Sequence, residues 1–98
     1  DWKDPNCPKA SKKRKQVLAW MDAYMDYGMI LDIPAWVARS PKGQKATGIT
    51  TYEEACKATE INNEYFMKNR SGACKFLNVL QGENHTEADD WYERMKKY

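Results

Sequence analysis

The chain has one histidine in 98 residues, three cysteines and five glycines, and no apolar run long enough to cross a membrane. Each scarcity excludes a class of function. With His85 alone and no close cysteine pair, sequence neighbours can assemble neither a zinc site nor a thioredoxin-type redox motif. Cys–His nucleophilic catalysis has no local signature either. Gly43 and Gly48 lack the flanking strand and spacing of a phosphate-binding loop. No stretch approaches the roughly 20 apolar residues of a membrane helix, and no charged-then-apolar leader is present. Glu53-Glu54 and Asp89-Asp90 are adjacent carboxylates, but neighbours on a helix diverge by about 100° and do not make an acid–base pair. No catalytic residue, metal ligand set or cofactor site is therefore expected, and the chain reads as a non-enzyme.

Acidic residues are scarce in the first half, and every Glu lies after residue 50. Residues 1–49 hold nine Lys or Arg against five Asp, whereas residues 50–98 hold seven against nine acids, so a formal charge of +2 hides a division. Charge divided in this way bears on partners and steering, not on fold.

What is present is helical periodicity. Thr50-Thr51-Tyr52-Glu53 reads as a capping box. After it, Tyr52, Ala55, Thr59, Asn62 and Phe66 recur at three- and four-residue steps, with Ala58, Ile61 and Tyr65 widening the stripe. Glu53, Lys57, Glu60, Glu64 and Lys68 collect on the other side as a solvated face, with Glu53–Lys57 and Glu64–Lys68 as favourable pairs. Asn69-Arg70-Ser71-Gly72 supplies turn chemistry, and Ala73, Phe76, Leu77 and Leu80 follow as a second helix stopped by Gly82. Asn62-Asn63, two poor helix formers, is the point where the first helix of this hairpin would break.

Elsewhere, Val17, Trp20, Met21, Tyr24 and Gly28 mark an amphipathic helix beginning at Pro8 or Ser11, with Gly28 as its end. Met29 to Val37 is the most apolar segment and carries a short helix started by Pro34. Ser40 to Gly48 reads as a loop. Thr86 caps a last helix whose stripe is Ala88, Trp91, Tyr92 and Met95. Residues 1–98 form one domain with an irregular arm over 1–8, and the expected fold is all-α: a small irregular bundle of four to five helices stapled by one disulfide.

Three cysteines allow one bond and leave one thiol. Across an unbroken hairpin, Cys56 and Cys74 would be separated by some 15 Å of helix, beyond the roughly 7 Å reach of a bridge. Cys7 on the arm is then the partner of one of them, whereas a break at Asn62-Asn63 reopens Cys56–Cys74. Three buried reduced thiols are the remaining alternative.

Thr51-Tyr52-Glu53-Glu54-Ala55-Cys56, with Gly72-Ala73-Cys74 following, resembles the second half of a Kazal-type protease inhibitor over about a quarter of the chain. That family rests on several disulfides, and Lys45 stands where its earlier cysteine falls, so its activity is not carried over. In cysteine number, lysine content and size the chain is also similar to small periplasmic helical proteins such as acid chaperones and effector-immunity proteins, a likeness of composition alone.

The leading expectation is a secreted or periplasmic binding protein of the inhibitor, immunity or chaperone kind, engaging another protein with an acidic surface. Asn69-Arg70-Ser71 and Asn84-His85-Thr86 match the glycosylation acceptor pattern of such compartments. The partner-binding candidates are Lys12, Lys13, Arg14 and Lys15, with Trp36, Arg39, Lys42 and Lys45. Cations at a helix N-terminus oppose its macrodipole, so helix stability does not explain the first group. Two other readings use overlapping residues. A nucleic-acid module would use the same cations, although the near-neutral total charge argues against nucleic acid. A carrier of an apolar ligand would be lined by Met21, Met25, Met29, Ile33 and Trp36.

Overall fold

A computed structural model describes residues 2–70 and 74–98. In chain order it contains α1 (Pro8–Tyr24), β1 (Tyr27–Met29), a 3-10 helix (Ala35–Arg39), α2 (Pro41–Thr47), α3 (Tyr52–Asn69), β2 (Lys75–Leu77) and α4 (His85–Met95). The protein is mostly helical, but two features of the expected architecture are corrected. A two-stranded parallel sheet is present, pairing Tyr27 with Lys75, Gly28 with Phe76 and Met29 with Leu77. No disulfide staples the fold.

The hub is α3. Its Ala55 and Ala58 pack with Ile33, Val37, Ala38 and Ile49. Phe66, one turn from its end, packs with Leu18, Met21, Ile30 and Cys74. Cys56 packs with Trp91 and Met95 of α4. Three small clusters thus share one helix, and alanines at two of its contact positions let the 3-10 helix approach its backbone closely.

The helix does not break at Asn62-Asn63. Both asparagines are fully buried and their side chains are employed. The chain from Ile30 to Pro34 is irregular yet largely inside, so its peptide groups need partners. Asn62 Nδ2 donates to the Leu31 carbonyl at 2.6 Å, and Thr59 Oγ1 accepts from the Ile33 amide at 2.8 Å. Asn63 Nδ2 donates to the Thr59 carbonyl at 3.0 Å. Weak propensity is overridden because Asn62 and Thr59 supply the hydrogen bonds a regular neighbour would have given the irregular segment, whereas Asn63 bonds Thr59 of its own helix and leaves its Oδ1 without a partner among the described residues.

Capping begins one residue later than expected. Thr51 is the N-cap of α3, accepting from the Glu54 amide at 3.1 Å, and Glu54 accepts from the Thr50 amide at 2.8 Å. In α4 the cap is Asn84 rather than Thr86, accepting from Glu87 N at 2.9 Å. Ser40–Gly48, expected as a loop, encloses α2. Ser40 Oγ accepts from Gly43 N, Pro41 occupies the first turn, and Gly48 ends the helix at φ 75°, a left-handed value that glycine adopts without strain.

The expected second helix over 73–80 is also replaced. Lys75–Leu77 is β2, Asn78–Leu80 continues without helix or strand, and the expected turn at Ser71 and Gly72, with Ala73, lies outside the described residues. Gly28 is not a helix end but the centre of β1. A Cβ there would fall 2.6 Å from Met21 Sδ and 3.2 Å from Cys74 Sγ, so any side chain at that point would require these two side chains to move.

Cys56 and Cys74 sit in different clusters and no two cysteines are bridged. The arm is held without a covalent bond. The Trp2 amide donates to the Thr47 carbonyl at 3.1 Å, and Lys3 pairs with Glu54 at 2.7 Å. Burial pushes the Cys56 and Cys74 thiols above their ordinary range, which also makes them poor nucleophiles. Iodoacetamide is therefore expected to modify Cys7 alone in the native protein and all three cysteines after denaturation, as counted by intact-mass measurement.

Lys3 and then Thr50 hold the Glu54 carboxyl at about 2, below its usual 4.5. A carboxyl depressed on folding contributes stability that is complete above its unfolded value and is lost as pH falls through its folded value. The difference in Tm between the native protein and Glu54→Gln is expected to be constant above about pH 4.5 and to shrink toward pH 2. Thermal melts across that window read it.

Candidate functional site

Charge has a different fate on the two halves of the chain. On α3, expected as a solvated face, all four glutamates find partners within the molecule. Arg94 of α4 donates to Glu60 at 2.6 Å and to Glu53 at 2.7 Å, Glu54 holds Lys3, and Glu64 accepts from the Tyr98 hydroxyl at 3.0 Å. The expected pairs Glu53–Lys57 and Glu64–Lys68 are not among the ion pairs of the described residues. The Glu53 hydrogen bond, ahead of that to Glu60, raises the Arg94 guanidinium still further above neutrality, so it is a permanent clamp between α4 and α3.

Lysines of the first half are treated otherwise. Lys9, Lys12, Lys13 and Lys15 on α1 and Lys42 and Lys45 on α2 are all exposed, and among the described residues none makes an ion pair. No acid lies in the first turn of α1, and its N-cap, Cys7, makes no side-chain cap hydrogen bond. This helix start is electrostatically unfavourable and is left so.

Arg14 is the exception, and its expected place in the patch is corrected. It is buried at 2% exposure among Ala10, Leu18 and Met21 on the inner face of α1. Its Nε donates to Asn62 Oδ1 at 2.5 Å, and its guanidinium carbon lies 5.4 Å from the Trp2 ring centre. Arg14 is a core tie between α1, α3 and the arm. Arg39 is exposed but pairs with Glu83 at 2.5 Å, so it too is engaged within the molecule. Trp36 is exposed on the 3-10 helix.

Trp20 and Tyr24 match the expected helical stripe yet lie on the outer face of α1. They are 58% and 76% exposed, with ring centres 5.9 Å apart. Lys9, Lys13, Trp20 and Tyr24 are separated by four, seven and four residues, which places all four on one side of the helix. Inward-facing positions are taken by Ala10, Arg14, Leu18 and Met21. Met21 aligns with Arg14 and stands about 100° from Trp20, so spacing alone separates the inner face from the Trp20–Tyr24 side.

The residues proposed to line a ligand cavity do not converge. Ile33 and Met21 belong to separate clusters, and Met25, Met29 and Trp36 face outward. A concavity of about 400 Å³ lies elsewhere, between the chain from Phe76 to Leu80 and the side of α4 that carries Trp91, Tyr92, Met95 and Lys96, with Tyr98 at its border. Nothing in the sequence marked it, because Phe76 to Leu80 was expected in a helix. Among the described residues no group of His, Cys, Asp and Glu is placed to hold a metal ion, and no helix is long and apolar enough to cross a membrane.

No protein-family model matches the chain, and neither a curated protein nor a solved structure matches it.

Proposed function

We propose that this is a non-catalytic recognition protein that binds another protein of acidic surface through the outer face of α1. The observation carrying this reading is the contrast in charge. Every glutamate of α3 is engaged within the fold, whereas six lysines on α1 and α2 are left outward. Beside those on α1 stands an exposed Trp–Tyr pair. Trp and Tyr dominate binding energy where they are buried by a partner, and flanking cations raise encounter rate and exclude wrong partners. Lys9 and Lys13 supply the electrostatic component on the side of α1 that carries the Trp20 and Tyr24 anchor, and Lys12, Lys15, Lys42 and Lys45 add to the positive field around it. An inhibitor, immunity or chaperone role fits such a surface. A secreted or periplasmic location stays part of this proposal without the support of a disulfide, since no two cysteines are bridged; the exposed Asn69 and Asn84 of the acceptor motifs are compatible with it and do not select it.

The test is retention from an extract of the source organism on immobilised protein. One species is expected to be held near stoichiometry, with retention falling as salt rises. At least tenfold should be lost from Trp20→Ser/Tyr24→Ser and from Lys12→Glu/Lys13→Glu/Lys15→Glu. Equal retention by all three proteins, or none by any, defeats the reading.

A related expectation has opposite signs in its two readouts. Lys9 sits in the first turn of α1, so Lys9→Glu exchanges an unfavourable charge for a favourable one and is expected to stabilise by about 0.3–1 kcal/mol. The same change should weaken retention of the partner. Urea melts and the retention assay check the two together, and a variant gaining stability with no loss of binding removes Lys9 from the surface.

A further inference from the structure

The two-stranded sheet is parallel, and one of its faces is bare. Parallel ladders occur almost only where both faces are covered. Gly28 and Phe76 turn inward, Gly28 toward Met21 and Cys74 and Phe76 onto the Phe66 ring. Successive residues of a strand alternate between faces, so the flanking pairs, Tyr27 beside Lys75 and Met29 beside Leu77, face outward. Tyr27, Met29 and Leu77 each stand about half exposed, and nothing among the described residues covers this face.

Leu77 also lines the concavity beside α4, so the bare sheet face and that hollow are one surface. The hollow adds the exposed Val79, Leu80 and Tyr92, with Leu80 at 62%. At roughly 150–250 Å² for a large side chain, the exposed parts of these six residues amount to on the order of 500 Å², as much apolar surface as a monomer usually gathers in one place. Charge around it is balanced. Lys96 lines the hollow and Lys75 and Lys97 adjoin lining residues, as do Glu64, Asp90 and Glu93. Lys96 pairs with Glu93 at 2.7 Å, and Glu64 accepts from the Tyr98 hydroxyl. A strongly acidic or strongly basic partner would therefore meet like charges here, whereas a surface with the same mixture offers each charge an opposite.

We propose that a second copy of this chain docks on the bare sheet face and the adjoining hollow, forming a two-fold dimer. A two-fold contact sets a patch against itself, so Tyr27, Met29, Leu77 and Leu80 of one copy close over those of the other, and lysines at one rim meet acids at the other. Two such patches remove about 1,000 Å² from water, the lower bound of a specific interface, so the dimer is reversible and depends on concentration. Its formation gives the parallel sheet cover on its second face. None of the residues assigned to the α1 surface takes part, so the dimer and the α1 recognition reading stand or fall separately.

Sedimentation equilibrium over a concentration series, with amide NMR of the isotope-labelled protein on dilution, tests it. The mass is expected to rise from one chain to two and no further, with dilution shifts centred on Tyr27–Met29, Leu77–Leu80 and Tyr92. Leu80→Glu and Tyr92→Glu should each weaken self-association at least tenfold, while Trp20→Ser/Tyr24→Ser leaves it unchanged. Leu80 and Tyr92 are exposed, so both variants should keep the native spectrum of the dilute monomer. A single-chain mass at every concentration, growth beyond two chains, a dimer that survives both glutamate variants, or one lost with Trp20→Ser/Tyr24→Ser overturns the proposal.

Discussion

Asn62→Leu is expected to lower the free energy of unfolding by about 3–5 kcal/mol, although leucine is a better helix former and close in volume. Asn62 Oδ1 accepts from the buried Arg14, and its Nδ2 satisfies the Leu31 carbonyl. Leucine leaves a guanidinium in an apolar setting without that acceptor and orphans a peptide oxygen of the irregular segment. Removing one partner of a buried charged contact costs far more than replacing both. Arg14→Leu/Asn62→Leu should accordingly be more stable than Asn62→Leu alone. A urea double-mutant cycle measures the coupling, and additive losses would show that Arg14 does not depend on Asn62.

Trp91→Ala is expected to cost a similar amount, about 3–5 kcal/mol. Trp91 is 1% exposed and, with Met95 and Cys56, forms the buried centre of the cluster that seats α4, flanked by the partly buried Tyr52 and Tyr98. The peripheral bonds, Tyr52 to Glu87 O at 2.7 Å and Arg94 to Glu53 and Glu60, are partly exposed and cannot replace that burial. Against a typical stability of about 5–15 kcal/mol, the loss is large enough to release α4 before the rest unfolds. Hydrogen exchange should show protection lost first over His85–Met95, with α3 retained. Uniform loss across the chain would mean that α4 and the hub unfold as one unit.

The two substitutions also mark what was legible in the sequence. Hydrophobic periodicity located α1, α3 and α4, and the α3 stripe of Ala55, Thr59, Asn62 and Phe66 is the buried face. Propensity misjudged Asn62-Asn63 because their hydrogen bonds go to Arg14, Leu31 and Thr59, and the first two lie 48 and 31 residues away. Ser40, Pro41 and Gly48 punctuate a loop and cap a short helix equally well, so these residues alone do not separate α2 from a loop. Phe76, Leu77 and Leu80 fit helical spacing, and a short apolar run does not by spacing alone distinguish a helix from a strand. The pairing of Tyr27–Met29 with Lys75–Leu77 joins segments far apart in the chain and leaves no local signature.

The surface was half legible. Lys12, Lys13, Lys15, Lys42 and Lys45 are exposed as expected of a patch, and Trp36 is exposed as well. The charge of Arg14 suggests the patch, but its position on the helix, in line with Leu18 and Met21, puts it on the inner face. Trp20 and Tyr24 give no surface signal by residue type, since aromatic residues at helical spacing are usually core.

Photo-crosslinking tests the proposed recognition most directly. A benzophenone amino acid is placed at Trp20 or Tyr24 on α1, at Lys57 on the exposed side of α3, and irradiated in cells of the source organism. The expected result is one adduct of defined mass from the two α1 positions and none from Lys57. Adducts of equal yield from all three positions, or from Lys57 alone, would contradict an α1 recognition surface.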